Sequence, residues 1–205
     1  MAKESLLNRE VDLVLLSIEM TKQARHIQRC RSIIKQIKQA QTDYSYELNL
    51  SLGFYRTVFD SLVTSVFIGL GKLYDQDGDC YSLYALQTLL GGLFGKSEHT
   101  SALKNQSDKL RTLSPKAHAL RQWRHKHYAH NVQEIEWDRA KLDSEHPLKD
   151  EDIESLIAFA CEYCDFFSLL AIGTTLSDRL PTCNDLENTL QRLHATKETH
   201  RIRPT

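Results

Sequence analysis

Leu13, Leu16, Met20, Ile27, Cys30, Ile34 and Ile37 recur at spacings of three and four, with Gln23 as the one polar interruption. Residues three and four apart share a helix face, so the pattern predicts one helix over roughly 5–40, about 50 Å long at about 1.5 Å per residue. Leu48, Leu52, Tyr55, Phe59, Leu62, Val66 and Leu73 repeat the spacing, with Gly69 in the remaining slot. Phe54, Val58, Val63, Phe67 and Leu70 add a second apolar face. A helix apolar on most sides is expected at the centre of a bundle. Asp75-Gln-Asp-Gly-Asp79 ends it. Ser82–Leu93 reads as a short helix closed by Gly91 and Gly92, and Ser101–Leu113 as another. Ser114-Pro115 predicts a fresh start, an N-cap serine with proline at the first helical position, running to about His130. Glu134–Pro147 is polar and reads as a loop with one turn of helix at most. Lys149–Leu176 is helical again, with Ile153, Ile157, Ala160, Cys164, Phe167 and Ala171 on one face. A last helix near Asn184–Ala195 leads into a basic tail expected to fray. The expected fold is all-α, an antiparallel bundle of about five to seven helices with two long N-terminal ones. One domain is expected over 1–205, with its core at 43–177 and a C-terminal helix and tail at 181–205.

Composition agrees with few turns and long elements. The 205 residues include only 8 Gly and 4 Pro, the residues that punctuate turns. Many-stranded sandwiches and barrels are therefore not expected, nor is disorder, because 41% of residues are hydrophobic and the net charge is −1. The longest uncharged run, Cys80–Gly95, is too short and too polar to span a membrane. No apolar leader follows Met1, and the five cysteines fall at irregular spacing. Reduced thiols in a cytoplasm, without membrane association, are the expectation.

The near-zero net charge hides segregation. Lys22–Lys38 holds six basic residues and no acid, and Lys104–His127 holds seven basic residues against Asp108. Glu134–Glu154 holds nine acids against three bases. Dense basic stripes attract phosphates. They can equally be solvated helix faces, or meet the acidic segment inside the fold.

Most familiar sites are absent from the sequence. Asp75, Asp77 and Asp79 do not form a calcium loop, because glycine falls at the fourth position and Leu86 at the twelfth. Cys161-Glu-Tyr-Cys164 lies inside an apolar helix with no second pair, which predicts core cysteines and no zinc. No phosphate-binding glycine loop, GxSxG or HExxH occurs, and neither cofactor nor metal is expected.

One segment carries chemistry: Leu120-Arg-Gln-Trp-Arg-His-Lys-His-Tyr-Ala-His-Asn131. Its cations can hold a phosphate, and a histidine exchanges protons near neutral pH. That kit suffices for metal-independent RNA cleavage, in which the 2′-hydroxyl attacks the adjacent phosphate. One group takes the hydroxyl proton, one protonates the leaving oxygen, and a cation stabilises the phosphorane. Arg124 and His130 are the candidate catalytic residues, with Arg121, His125, Lys126, His127 and Asn131 as RNA contacts. On an ideal α-helix Arg124 and His130 lie about 9 Å apart along the axis and about 120° around it. An arginine side chain spans that gap, more easily if the helix loosens. The plain alternative is a basic helix C-terminus, favourable to its own dipole, with His130 as a cap.

Here the sequence resembles the HEPN superfamily of all-helical domains, whose hallmark is an arginine followed after four to six residues by a histidine. Arg124 and His130 match with five between, and His125 stands where a polar residue follows the arginine. The fuller string looks most like the abortive-infection (AbiU-like) branch. Gly71-Lys-Leu-Tyr-Asp75 and Tyr81-Ser-Leu83 look like its Arg-Leu-x-Asp and Ser-Leu elements, with Lys72 in place of the arginine. The likeness is densest over Asn49–Asn131. It implies a two-fold homodimer with the motifs meeting at the interface, and a ribonuclease acting as a toxin or phage-defence effector, with a cognate antitoxin or defence partner. Some HEPN members are instead inactive interaction, antitoxin-like or nucleotide-sensing modules. Others are silenced by modification of a tyrosine two residues after the histidine, a position held here by Val132.

Overall fold

The apolar seam at the N-terminus becomes a helix longer than expected. The structure is a computed structural model that describes residues 2–77, 81–129, 135–175 and 185–201, with side chains described outside 2–12, 127–129, 135–139, 185 and 196–201. Helix α1 spans Ala2–Asp43. It is followed by α2 (Ser45–Asn49), α3 (Leu52–Leu73), α4 (Leu83–Phe94) and α5 (Thr100–Trp123). A π-helical stretch, Arg124–Ala129, continues α5, and α6 (Ile135–Glu145), α7 (Asp150–Ile172) and α8 (Asp185–Arg201) complete the order. The fold is all-α.

Eight α-helices among the described residues exceed the expected five to seven, and the excess has local causes. The second long helix is interrupted after α2, where the chain turns through Leu50 and Ser51. The acidic stretch expected as a loop forms α6, because Leu142 is buried and Lys141 stands 3.9 Å from Glu145 one turn on. Among the described side chains of α6, burial of Leu142 favours the helix despite the polar composition around it.

Ser114-Pro115 does not start a helix. Pro115 lies inside α5. Proline lacks the N–H that would bond the Arg111 carbonyl, but Arg111 and Pro115 are both exposed, so water can take that carbonyl. Helix α4 does begin as expected, with the Ser82 hydroxyl accepting from the Ala85 N–H at 3.3 Å. It runs through both glycines to Phe94.

The chain divides into two compact units, Met1–Ile27 with Phe67–Leu180, and Gln28–Val66 with Pro181–Thr205. The first has the larger core, with Leu70, Leu73, Tyr74, Leu83, Leu86, Leu90, Leu120, Leu156 and Phe167 fully buried. The Tyr74 hydroxyl donates to the Leu156 carbonyl at 2.8 Å. Ser17 and Thr21 on α1 meet Ser168 on α7 at 2.8 and 3.2 Å, which satisfies three buried hydroxyls together. Where α1 meets α3, a Cβ on Gly69 would stand 2.7 Å from the Ile27 side chain. This explains a glycine in an otherwise apolar slot. Cys161 and Cys164 are buried as expected, and burial pushes both thiols up. Helix α7 is long and apolar enough to cross a membrane by length and composition, and half of its apolar window is buried inside the protein.

The second unit gathers Ala40, Leu48 and Leu190 with Tyr44, Tyr55 and Leu186. Buried Glu47 meets His194 Nδ1 at 3.0 Å. Helix α3 is therefore not apolar core along its whole length. Val66, Phe67, Leu70 and Leu73 in its C-terminal part are buried, whereas Leu52 and Phe54 at its start are exposed. The second unit's small cluster takes Tyr55 from that end of α3 and leaves those two at the surface.

Candidate functional site

Helix α5 delivers the basic segment. Trp123 is buried in its last turn, packs against Phe67 with ring centres 6.3 Å apart, and donates its indole N–H to the His146 carbonyl at 2.9 Å. The segment is thus anchored one residue before Arg124. At Arg124 the backbone passes from α to π. In π-helix the N–H reaches five residues back, so side chains beyond Trp123 leave the α-helical phase. The π-helical stretch covers Arg124–Ala129, and His130 lies outside the described residues.

The Arg124 side chain is 18% exposed and lies across α3. A Cβ on Gly71 would overlap Arg124 Cδ and stand 3.3 Å from its Cγ and Nη1. Beyond Gly71, Arg124 Nη1 donates to Asp75 Oδ2 at 3.1 Å. Asp75 is buried, and its Oδ1 accepts from the Asp77 N–H at 3.3 Å. Burial pushes the Asp75 carboxyl up, but the Asp77 N–H and the Arg124 guanidinium outweigh it and hold the carboxyl below its ordinary range.

Arg121 follows Arg124 onto the same loop, its Nη2 donating to Gln76 Oε1 at 3.3 Å. Lys126 faces the other way, 4.0 Å from Glu145 Oε2. His125 is exposed. His130 and Asn131 lie outside the described residues, and the side chain of His127 lies outside the described side chains. The structure thus brings Arg121 and Arg124 together over the α3–α4 connection.

The basic stripe over Lys104–His127 is largely paired, and that over Lys22–Lys38 in part. In Lys104–His127, Lys109 meets Glu162 at 2.6 Å, Arg111 meets Asp108 at 3.0 Å and Lys116 meets Asp152 at 2.8 Å, besides Arg124 with Asp75. Asp152 and Glu145 come from the acidic segment, so the two charge blocks meet within the fold. In Lys22–Lys38, Lys22 pairs with Glu19 and Arg25 with Asp165. Among the described residues no group of three or more His, Cys, Asp or Glu is arranged to hold a metal ion.

With an arginine at the α-to-π junction, held beside an aspartate that closes α3, comparison with known families becomes informative. The model of the HEPN family AbiU2 matches residues 10–189. The chain belongs to this AbiU2 family of HEPN proteins. No curated protein and no solved structure matches it.

In this AbiU2 chain two contact residues escaped the reading of the motif alone. Gly71 and Asp75 bound the stretch that resembles the branch's Arg-Leu-x-Asp element, but the sequence assigned neither a contact with Arg124. The signal that marks them is their place in sequence: Gly71 falls in the last turn of α3 and Asp75 two residues beyond its end, where the chain leaves the helix.

Proposed function

We propose that this protein is a metal-independent HEPN ribonuclease, acting in the cytoplasm as a toxin or phage-defence effector and working as a homodimer. The observation that carries the reading is the Arg124 guanidinium, fixed at a helix junction and bonded, among the described residues, to Asp75 through Nη1. Its other N–H donors can receive a phosphate. In the reaction Arg124 stabilises the charge that grows on the phosphorane, and His130 transfers the proton. Arg121, His125, Lys126, His127 and Asn131 hold the strand. A two-fold partner would bring a second His130, so that one histidine serves as base and the other as acid. RNA is the substrate, and a cognate antitoxin or defence partner would restrain the activity.

The test is cleavage by the purified protein with EDTA present. The expected products carry a 2′,3′-cyclic phosphate, or the 3′-phosphate derived from it, opposite a 5′-hydroxyl. DNA, lacking the 2′-hydroxyl, stays intact. His130→Ala should cost on the order of 10²–10⁴-fold, and Arg124→Ala about 10²-fold or more. Full activity in His130→Ala, or abolition by EDTA, rejects the mechanism.

A second reading has one observation in its favour. The ion pair that partly buries Arg124 against Asp75 also fits a non-catalytic HEPN dimer serving as an interaction, antitoxin-like or nucleotide-sensing module. Absence of cleavage across varied RNAs, with nucleotide binding retained, would select it.

A further inference from the structure

We propose that Gly71 and Asp75 are positioning residues for Arg124: the missing side chain of Gly71 forms the seat that the arginine crosses, and Asp75 clamps one edge of the guanidinium so that the rest faces the RNA phosphate. The proposal rests on the ribonuclease reading and adds to it how the arginine is aimed. Arginine has four rotatable side-chain bonds, and ordering such a chain on phosphate binding costs conformational entropy. A seat and a clamp meet that cost during folding. Gly71 lies inside α3, where alanine would favour the helix. A glycine there works against the helix, and the space it leaves is filled by Cδ, Cγ and Nη1 of Arg124. Asp75 follows one turn later, buried and bonded to the Asp77 N–H, so its carboxylate is fixed before it meets the guanidinium. Trp123, pinned to the His146 carbonyl, fixes the other end of the arginine's reach. The three anchors sit in α3, the turn after it and α5, all within one compact unit.

The experiment compares Gly71→Ala with Gly92→Ala. Gly92 is also helical, but a Cβ there meets nothing within 4 Å. Gly92→Ala should leave kcat and KM unchanged and raise the melting temperature slightly, as helix propensity dictates. Gly71→Ala should leave the protein folded, because the arginine can swing aside. It should lower kcat by up to about 10²-fold while KM changes little, as for a displaced catalytic group. A thermodynamic cycle supplies a readout independent of activity. Gly71→Ala should lower the melting temperature in the wild-type background and raise it in the Arg124→Ala background, where the overlap is gone. Asp75→Asn should lower kcat, and the acid-side limb of the pH–rate profile should stay with the histidine. Additive melting shifts, or a Gly71→Ala enzyme with unchanged kcat, overturn the proposal. If the wild-type protein cleaves no RNA, the ribonuclease reading fails separately. The cycle then still decides whether Gly71 seats Arg124.

Discussion

Asp75 shows how one side chain can tie stability to the site. Desolvation alone would raise its pKa, yet the Asp77 N–H and Arg124 favour the charged form more strongly and lower it. A carboxyl held low in the folded state contributes stability that is present above the unfolded value, about 3.9, and is lost as pH falls below it. Replacing Asp75 by Asn removes the charge and keeps the shape. The expected loss is about 1–3 kcal/mol at neutral pH, since the guanidinium is left in a partly buried place without its counter-charge. As pH falls through the lowered folded-state pKa the difference should shrink, because the wild-type carboxyl then becomes neutral as well. Circular dichroism melts of both proteins across pH would reveal this convergence. A gap of constant size from neutral to acid would mean that the pair contributes through shape and not charge.

At the scale of the element, α5 is the unexpected helix. Its sequence contains a strong start signal at Ser114-Pro115, and the structure runs straight through it. The cost falls on the Arg111 carbonyl, and because Arg111 and Pro115 are both exposed residues, hydration can limit it. Pro115→Ala should therefore restore a helical hydrogen bond and stabilise the protein, by up to about 3 kcal/mol. Were a helix to begin at Pro115, the same change would be neutral or slightly harmful, since proline suits a first helical position. Thermal denaturation of the variant separates the two. A continuous α5 also matters for the site, because Lys109, Lys116, Trp123 and Arg124 then hang from one rigid rod. The pairs Lys109–Glu162 and Lys116–Asp152 both fasten that rod to α7. Such half-exposed pairs contribute little individually; their value here is alignment.

At the scale of the whole molecule, the proposed reaction needs two proton-transfer groups, and each protomer's motif offers His130 as its transfer histidine. In the proposed homodimer, a two-fold axis through the motif segments would supply the second. Light scattering at micromolar concentration should report a dimer. Mixing His130→Ala protomers with Arg124→Ala protomers should restore part of the activity if each site draws on both chains. A protein that remains monomeric while cutting RNA would place both proton transfers within one chain.

The α-helical class was legible in the chain itself. The spacing of Leu13, Met20, Ile27, Ile34 and Ile37 dictates a helix whatever surrounds it, and all five are buried. Ser82 capped the helix its sequence promised, because a cap is a local hydrogen bond. The motif around Arg124 was equally visible, since a dense run of cations and histidines needs no fold to be noticed. What the sequence did not settle were outcomes decided by distant neighbours. Burial of Leu142 turned an acidic stretch into α6, and solvent at Arg111 allowed Pro115 inside a helix. The exposed start of α3 likewise depended on which surfaces the rest of the chain covered. The pairing of Arg124 with Asp75 across Gly71 joins residues 49 positions apart. Periodicity records which face of a helix is apolar. Only packing decides what meets that face, and here it set an arginine against a helix glycine whose missing side chain leaves room for it.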